Sequence, residues 1–482
     1  MSSRQRNIRN ARAKVGWAHS ELKWLGSEEA QAANARLREL VGALEGRVAR
    51  SYCGTKLHLG ELSPGCVSCG EGAWSCVFTT GRCTADCFFC PQDTARAPRE
   101  ARLATLGVRF GDASEYADFV DAFGFRGVGL SGGEPLLVRE TVLAVVRELK
   151  RRRGSELYVW LYSNGRLADE EALGLLGEAG LDEVRFNVVH CGYDLSACER
   201  AARFIPTVTV EIPAVPEDSE ALRECVLRMA EAGVRHLNLH QLLATSHNFR
   251  AFAQRGYTLV HHPSLPVLES EFAALELLQW AAEEGVGLPI NYCCSAYKDR
   301  IQSQGRRAAA TGLVRRPWED VSGAGYLREV AVRGDGERIR EVARRLGAGQ
   351  WEVAEYGTEL RLPLEAARAT DLGDCTVTVR YCTARLREGE GAEGRTVTLG
   401  EGRRLGAARE AVAEFRDLSQ AALEALGRIA VDGTGEGDAV RWFQTNRPLA
   451  RAEDVGAMVR ERRAIEEALE WERVEEGLPE VY

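Results

Sequence analysis

Trp74-Ser75-Cys76-Val77-Phe78-Thr79-Thr80-Gly81-Arg82-Cys83-Thr84-Ala85-Asp86-Cys87-Phe88-Phe89-Cys90 is the stretch on which the fold turns. Its first half, 74–79, is an apolar run with β-branched residues and reads as a buried strand. Directly behind it stand three cysteines at CxxxCxxC spacing, Cys83, Cys87 and Cys90. Three thiolates on one short loop can bind three corners of a cubane [4Fe–4S] cluster and leave the fourth iron without a protein ligand. Zinc is the other metal such a loop could take, but a structural zinc site normally closes with four ligands.

Working outward, the next strand (127–131) ends in Ser131-Gly132-Gly133-Glu134-Pro135. Glycines suit a turn where the backbone itself must approach a ligand. Further buried strands are expected at 157–162, 183–189, 207–212 and 236–242, with a short one at 287–292. Amphipathic helices at 139–151, 169–178, 194–202, 219–232 and 269–284 separate them. Strands alternating with helices imply a parallel sheet. The pattern alone does not separate a doubly wound sheet from an open barrel.

The CxxxCxxC loop and the Gly-Gly-Glu-Pro turn together resemble the radical S-adenosylmethionine (SAM) superfamily, over roughly residues 74–292. That resemblance implies a partial (β/α)6 TIM barrel of radical SAM type, with ligands at the carboxyl ends of the strands. It also implies that the open iron chelates the amino and carboxylate groups of SAM, and that the reduced cluster cleaves SAM to a 5′-deoxyadenosyl radical. Phe89 then lies beside the adenine, and the exposed backbone polar groups of Gly132, Gly133 and Glu134 bind the SAM amino group. By the same analogy Ser163 and Asn164 contact the SAM carboxylate, and Asn187 and Glu211 reach the ribose. Each of these four reads equally as an ordinary polar turn or core residue. No catalytic residue is named by the sequence.

Seven of the fourteen cysteines fall between Cys53 and Cys90. Cys53, Cys66 and Cys69, upstream of the first strand, are expected to hold an auxiliary [4Fe–4S] cluster, with zinc as the competitor. Its fourth ligand is Cys293 or Cys76, with Cys293 preferred because Cys76 lies inside the first strand. The segment Asn291-Tyr292-Cys293-Cys294-Ser295-Ala296-Tyr297-Lys298-Asp299, followed by Gln302 or Gln304, looks like one found in proteins related to pyruvate formate-lyase activating enzyme.

The domain reading is a helical amino-terminal arm (1–50), an auxiliary-cluster segment (51–73), the barrel (74–310), an α+β carboxyl-terminal domain (311–435) and a helical tail (436–482). In the α+β part, 375–385 and 395–399 read as a β-hairpin whose loop is the Gly-rich 387–394, and 406–428 as a helix.

A net charge of −9 argues against a generally nucleic-acid-binding surface, although residues 1–50 carry ten Lys/Arg against five Asp/Glu. No run approaches the ~18 apolar residues of a membrane span, so a cytoplasmic location and no membrane partner are expected. The function expected is a radical SAM oxidoreductase that abstracts hydrogen from a peptide, natural product or metabolite and draws electrons from a ferredoxin or flavodoxin. The alternative is a non-catalytic iron–sulfur sensor of redox state or oxygen that keeps the fold.

Overall fold

The structure is a computed structural model that describes residues 3–92, 102–346, 349, 351–389, 395–400, 402–432, 436–446 and 454–481. Two compact units are present: Met1–Gln302 with Glu476–Tyr482, and Ser303–Glu475. The division falls eight residues before the 311 read from the sequence. Residues 476–482 go with the first unit, not with a tail.

The first unit is built on a sheet that has eleven strands among the described residues: β1 (Ala49–Ser51), β2 (Lys56–Leu59), β3 (Trp74–Thr80), β4 (Leu103–Thr105), β5 (Val108–Phe110), β6 (Gly127–Gly132), β7 (Tyr158–Ser163), β8 (Glu183–Phe186), β9 (Thr207–Pro213), β10 (His236–His240) and β11 (Ile290–Cys293). Their spatial order is β1-β2-β11-β10-β9-β8-β7-β6-β3-β4-β5. Neighbours from β3 and β6 through to β11 are parallel. Six helices (Ala113–Ala122, Arg139–Arg153, Glu170–Glu178, Ser196–Ala201, Ser219–Met229, Leu268–Glu283) connect them in turn. The unit is therefore a partial (β/α)6 TIM barrel with β11 as a seventh parallel strand. Antiparallel pairs extend both ends, β2 on β11 and β4 on β3.

The strands form where they do because their apolar residues have nowhere wet to go. Val128, Leu130, Val159, Leu161, Val184, Phe186, Val208 and Val210 are all at most 1% exposed, as expected for a parallel sheet covered on both sides. Helix starts are set by side-chain caps: Asp112 accepts from Glu115 N (2.9 Å) and Asp169 from Ala172 N (2.8 Å). The β4–β5 hairpin and the Ala113–Ala122 helix were not anticipated from the sequence.

In register across the sheet, one face carries Trp160 and Tyr162, Glu183 and Arg185, Glu211, Asn238 and His240, Asn291 and Cys293, then Lys56 and His58. The short helix Pro64–Gly70 packs against this face at β6 and β7. A Cβ on Gly65 would stand 2.4 Å from Arg185 Nη2 and 3.1 Å from the Trp160 ring, so only glycine lets the helix come this close.

The second unit is an antiparallel sheet in the order Glu352–Ala354, Glu359–Leu362, Leu327–Arg333, Thr376–Glu388, Arg403–Leu418, Val397–Leu399. Two expectations are corrected here. Residues 376–388 pair with Arg403–Leu418, and Val397–Leu399 pairs with the start of that strand. The stretch expected to be a helix from 406 is thus strand as far as Leu418, and the helix is Gln420–Ala430. Residues 390–394 of the Gly-rich loop lie outside the described residues. Ala439, Phe443, Ala464, Ile465 and Ala468 share one core with Val330, Val379 and Leu423, so the helices expected as a separate tail belong to this unit. Among the described residues no helix is long and apolar enough to cross a membrane.

Candidate functional site

The cysteine loop leaves the carboxyl end of β3 and is pinned by the turn that follows β6. Gly133 N donates to Thr80 O and Glu134 N to Arg82 O, both at 2.7 Å. A Cβ on Gly133 would lie 2.0 Å from Arg82 O, and Gly132 has φ +136° with its Cβ position 2.3 Å from Thr80 O. Two consecutive glycines are what allow the backbones to meet. Beyond this clamp Cys83, Cys87 and Cys90 are all partly exposed, and Cys90 N donates to Cys87 O at 2.9 Å.

The Glu134 side chain, as distinct from the backbone groups expected to meet the cofactor, is turned inward. Its carboxylate is fully buried and accepts from Ser163 Oγ (3.0 Å), Leu136 N (3.0 Å) and Asn164 N (2.8 Å). Burial raises its pKa while these donors lower it. The group ties the ends of β6 and β7 together, and Ser163 is used in the same knot, accepting also from Gly165 N. Asn164 does face the cysteine loop: its Nδ2 lies 3.6 Å from Cys83 Sγ and donates to Thr84 Oγ1 at 2.9 Å. Phe89 packs edge-on against Phe88, and its carbonyl accepts from Asn248 Nδ2 at 3.2 Å.

The two residues expected at the ribose are otherwise engaged. Asn187 Oδ1 accepts from Val189 N at 3.1 Å and shapes the turn after β8. Glu211 accepts from Arg185 Nη1 (2.8 Å) and Asn238 Nδ2 (3.0 Å) and lies 2.6 Å from His240 Nε2. Burial alone would raise its pKa, but Arg185 above all holds it well below the ordinary carboxylate range. Burial lowers His240. Arg185 also binds Glu183, so a buried ion network spans β8 and β9.

A second set of thiols gathers at the β2–β11 end of the same face. Cys66 and Cys69 stand three apart on the Pro64–Gly70 helix and so share a side of it. Asn291 Nδ2 lies 3.6 Å from both Cys66 Sγ and Cys293 Sγ. Lys56 Nζ, on a residue 1% exposed, donates to Cys293 Sγ at 3.1 Å. Tyr297 OH (3.4 Å) and Gln302 Nε2 (3.1 Å) both donate to Cys69 Sγ. Burial, with Cys66 and Cys293 adding to it, pushes the Cys69 thiol up to about 11. Gln304 instead donates to Gly323 O.

Cys53 is not in this set, against expectation. It is exposed, sits at positive φ (54°) in a turn, and its charged neighbours are Glu476 and Arg300. Cys76, on β3, lies 3.0 Å from Ser131 Oγ. Cys294 caps the following turn and donates to Thr55 O at 3.0 Å. Lys56 was missed in the sequence. The sequence shows only a lysine in the short run Lys56–Leu59; its place directly opposite Cys293 appears in the sheet register.

Among the described residues no three His, Cys, Asp or Glu side chains are already drawn together as the ligands of a single metal ion. The donor chemistry of the loop still fits a cluster. Burial, with Cys90 and Cys83 adding to it, pushes the Cys87 thiol up to about 11, so its thiolate is unfavourable here without a cation beside it. A cubane takes its ligands on different iron atoms and needs its thiols farther apart than one zinc ion does.

Residues 77–194 match the Radical SAM superfamily model. A Methanocaldococcus jannaschii protein, whose name assigns it provisionally to the glycyl-radical enzyme activating enzymes, is 30% identical over 311 residues, 61% of this chain and 79% of its own. Among solved structures, Streptococcus suis SuiB bound to S-adenosylmethionine is 11% identical over 46% of this chain and 50% of its own (TM-score 0.33). The radical S-adenosylmethionine methyltransferase TsrM of Kitasatospora setae, bound to tryptophan and a SAM analogue, is 20% identical over 38% and 40% (TM-score 0.29). This chain thus spans half or less of the length of these two solved proteins. With the motif match inside the barrel and a relative matched over most of its length, the chain belongs to the radical SAM superfamily and is an enzyme of that class.

Proposed function

We propose that Cys83, Cys87 and Cys90 hold the [4Fe–4S] cluster at which SAM binds, and that the enzyme abstracts hydrogen from a peptide, natural product or other metabolite. Cluster and SAM together supply a 5′-deoxyadenosyl radical. The chain's own part is placement. Gly132 and Gly133 fix the start of the cysteine loop, Glu134 locks that clamp to Ser163 and Asn164, and Asn164 sets its amide beside Cys83. The observation that carries this reading is the Gly133–Arg82 contact, which joins the two motifs into one site. A ferredoxin or flavodoxin of the cytoplasm is the proposed electron donor.

Anaerobically reconstituted protein should bind about eight irons per chain, two cubanes' worth, and release 5′-deoxyadenosine under dithionite. The Cys83→Ala/Cys87→Ala/Cys90→Ala variant should lose about half the iron and all SAM cleavage. Wild-type protein that holds its full iron and leaves SAM intact would be the redox or oxygen sensor instead.

A second reading, favoured by the name of the M. jannaschii relative, is activation of a glycyl-radical enzyme. It predicts a glycyl radical doublet by electron paramagnetic resonance when a partner enzyme is mixed with SAM and reduced protein.

A further inference from the structure

The buried lysine on β2 calls for an explanation. A fully enclosed ammonium is unfavourable unless anions and hydrogen-bond acceptors surround it. Lys56 Nζ lies 3.1 Å from Cys293 Sγ and 3.8 Å from the centroid of the Tyr297 ring. Around it stand the thiols of Cys66, Cys69 and Cys293, each reached by a donor: Asn291 at Cys66 and Cys293, Tyr297 and Gln302 at Cys69. Lys56, Tyr297 and Gln302 point their hydrogens at sulfur, while Asn291 Nδ2 lies nearer Asn238 Oδ1 (3.0 Å), to which Cys66 Sγ also donates at 3.6 Å. That is the environment of an anionic sulfur centre with a built-in counter-cation. It is not the environment of inert core cysteines, which are packed among apolar groups. Cys53 and Cys76 lie elsewhere, and Cys294 is spent on Thr55.

We propose that Cys66, Cys69 and Cys293 hold a second [4Fe–4S] centre with three cysteine ligands, whose fourth iron has no cysteine, and that Lys56 is its buried counter-cation. The proposal rests on the radical SAM reading only for the choice of iron over zinc. Lys56 acts as a positioning residue. Its positive charge and the hydrogen bonds to sulfur favour the reduced cluster and raise the centre's potential.

The test uses full-length protein carrying Cys83→Ala, Cys87→Ala and Cys90→Ala, reconstituted with iron and sulfide, so that only the second centre is counted. About four irons per chain should remain. Adding Cys53→Ala or Cys76→Ala should leave them in place, whereas Cys66→Ala, Cys69→Ala or Cys293→Ala should remove them. Iron lost with Cys53→Ala, or one zinc in place of four irons, overturns the ligand set.

The count of three is tested without substituting any of its ligands. One-electron oxidation of a [4Fe–4S]2+ centre by ferricyanide releases Fe2+ from a corner lacking cysteine and leaves [3Fe–4S]+, seen by electron paramagnetic resonance. A centre that keeps all four irons through this treatment overturns three-fold ligation. Lys56→Met should move the midpoint potential to more negative values, and Lys56→Arg should recover part of the shift. An unmoved potential overturns the counter-cation role. These outcomes are independent of SAM cleavage, which is read in the protein with its loop cysteines intact.

Discussion

At the scale of single residues, the two glycines after β6 are the most exacting positions in the site. A methyl group at Gly133 would have to occupy the place of Arg82 O, and that oxygen is backbone in the first turn of the cysteine loop. Gly133→Ala should therefore displace the loop without disturbing the sheet. The expected result is loss of about half the bound iron, with 5′-deoxyadenosine formation reduced at least ~100-fold (roughly 2.7 kcal/mol in barrier). Near-wild-type circular dichroism should accompany it. Iron counting beside product chromatography measures all of this, and full iron with normal turnover would show that the clamp is dispensable. The motif was readable in the sequence, but the use of its parts was not. The resemblance gives Glu134 a backbone role only. In the folded chain its carboxylate is an internal tie, and no local pattern announces a carboxylate that three donors have claimed.

At the scale of elements, the alternation of strands and helices was legible because each barrel strand is a short apolar run between turn residues, buried on both faces. The misreadings have equally local causes. β4 and β5 are three residues each, too short to show a period. Arg403–Leu418 is rich in Ala and Arg, which favour helix, yet it pairs along most of Thr376–Glu388, and tertiary pairing overrode propensity. The upstream cysteines divide on folding. Cys66 and Cys69 lie on the Pro64–Gly70 helix over the polar face, and pairing of β2 with β11 sets Lys56 opposite Cys293. Cys53 stays in the exposed turn before β2, which no spacing in the sequence foretells.

The polar face of the sheet makes a testable statement about acid stability. Glu211 has its pKa depressed below its ordinary 4.5 by Arg185 and its other partners, in spite of burial. A depressed carboxyl contributes stability that is present above pH 4.5 and lost as the pH falls from there toward its folded value. Urea unfolding at a series of pH values should show that loss beginning near pH 4.5. In Glu211→Gln the protein should be less stable at neutral pH and its curve flatter below pH 5. A variant whose acid limb matches wild type would remove Glu211 from the account.

At the scale of the whole molecule, the chain leaves the first unit at Gln302 and re-enters it at Glu476. The returning segment is fastened at several points. Gly477 N donates to Cys53 O (2.7 Å), Arg300 Nη1 donates to Gly477 O (2.9 Å), and Val481 N donates to Asn34 Oδ1 (2.8 Å) with its side chain 3% exposed. Ending the chain at Glu475 should lower the stability of the first unit by about 2–4 kcal/mol, one buried valine and its hydrogen bonds. Iron content should be unchanged, because none of the proposed cysteine ligands touches the segment. Differential scanning calorimetry would register the loss as an earlier transition, and a loss of iron would contradict the exclusion of Cys53 from the second centre.

That re-entry also orders events during synthesis. At the ordinary pace of about 5–20 residues per second, roughly 10–35 s separate the emergence of Gln302 from that of Gly477. For that interval both sets of thiols are already made while the turn at Cys53 still lacks its strap. Iron and sulfide delivered on the ribosome would meet a barrel complete in its strands but not yet fastened shut.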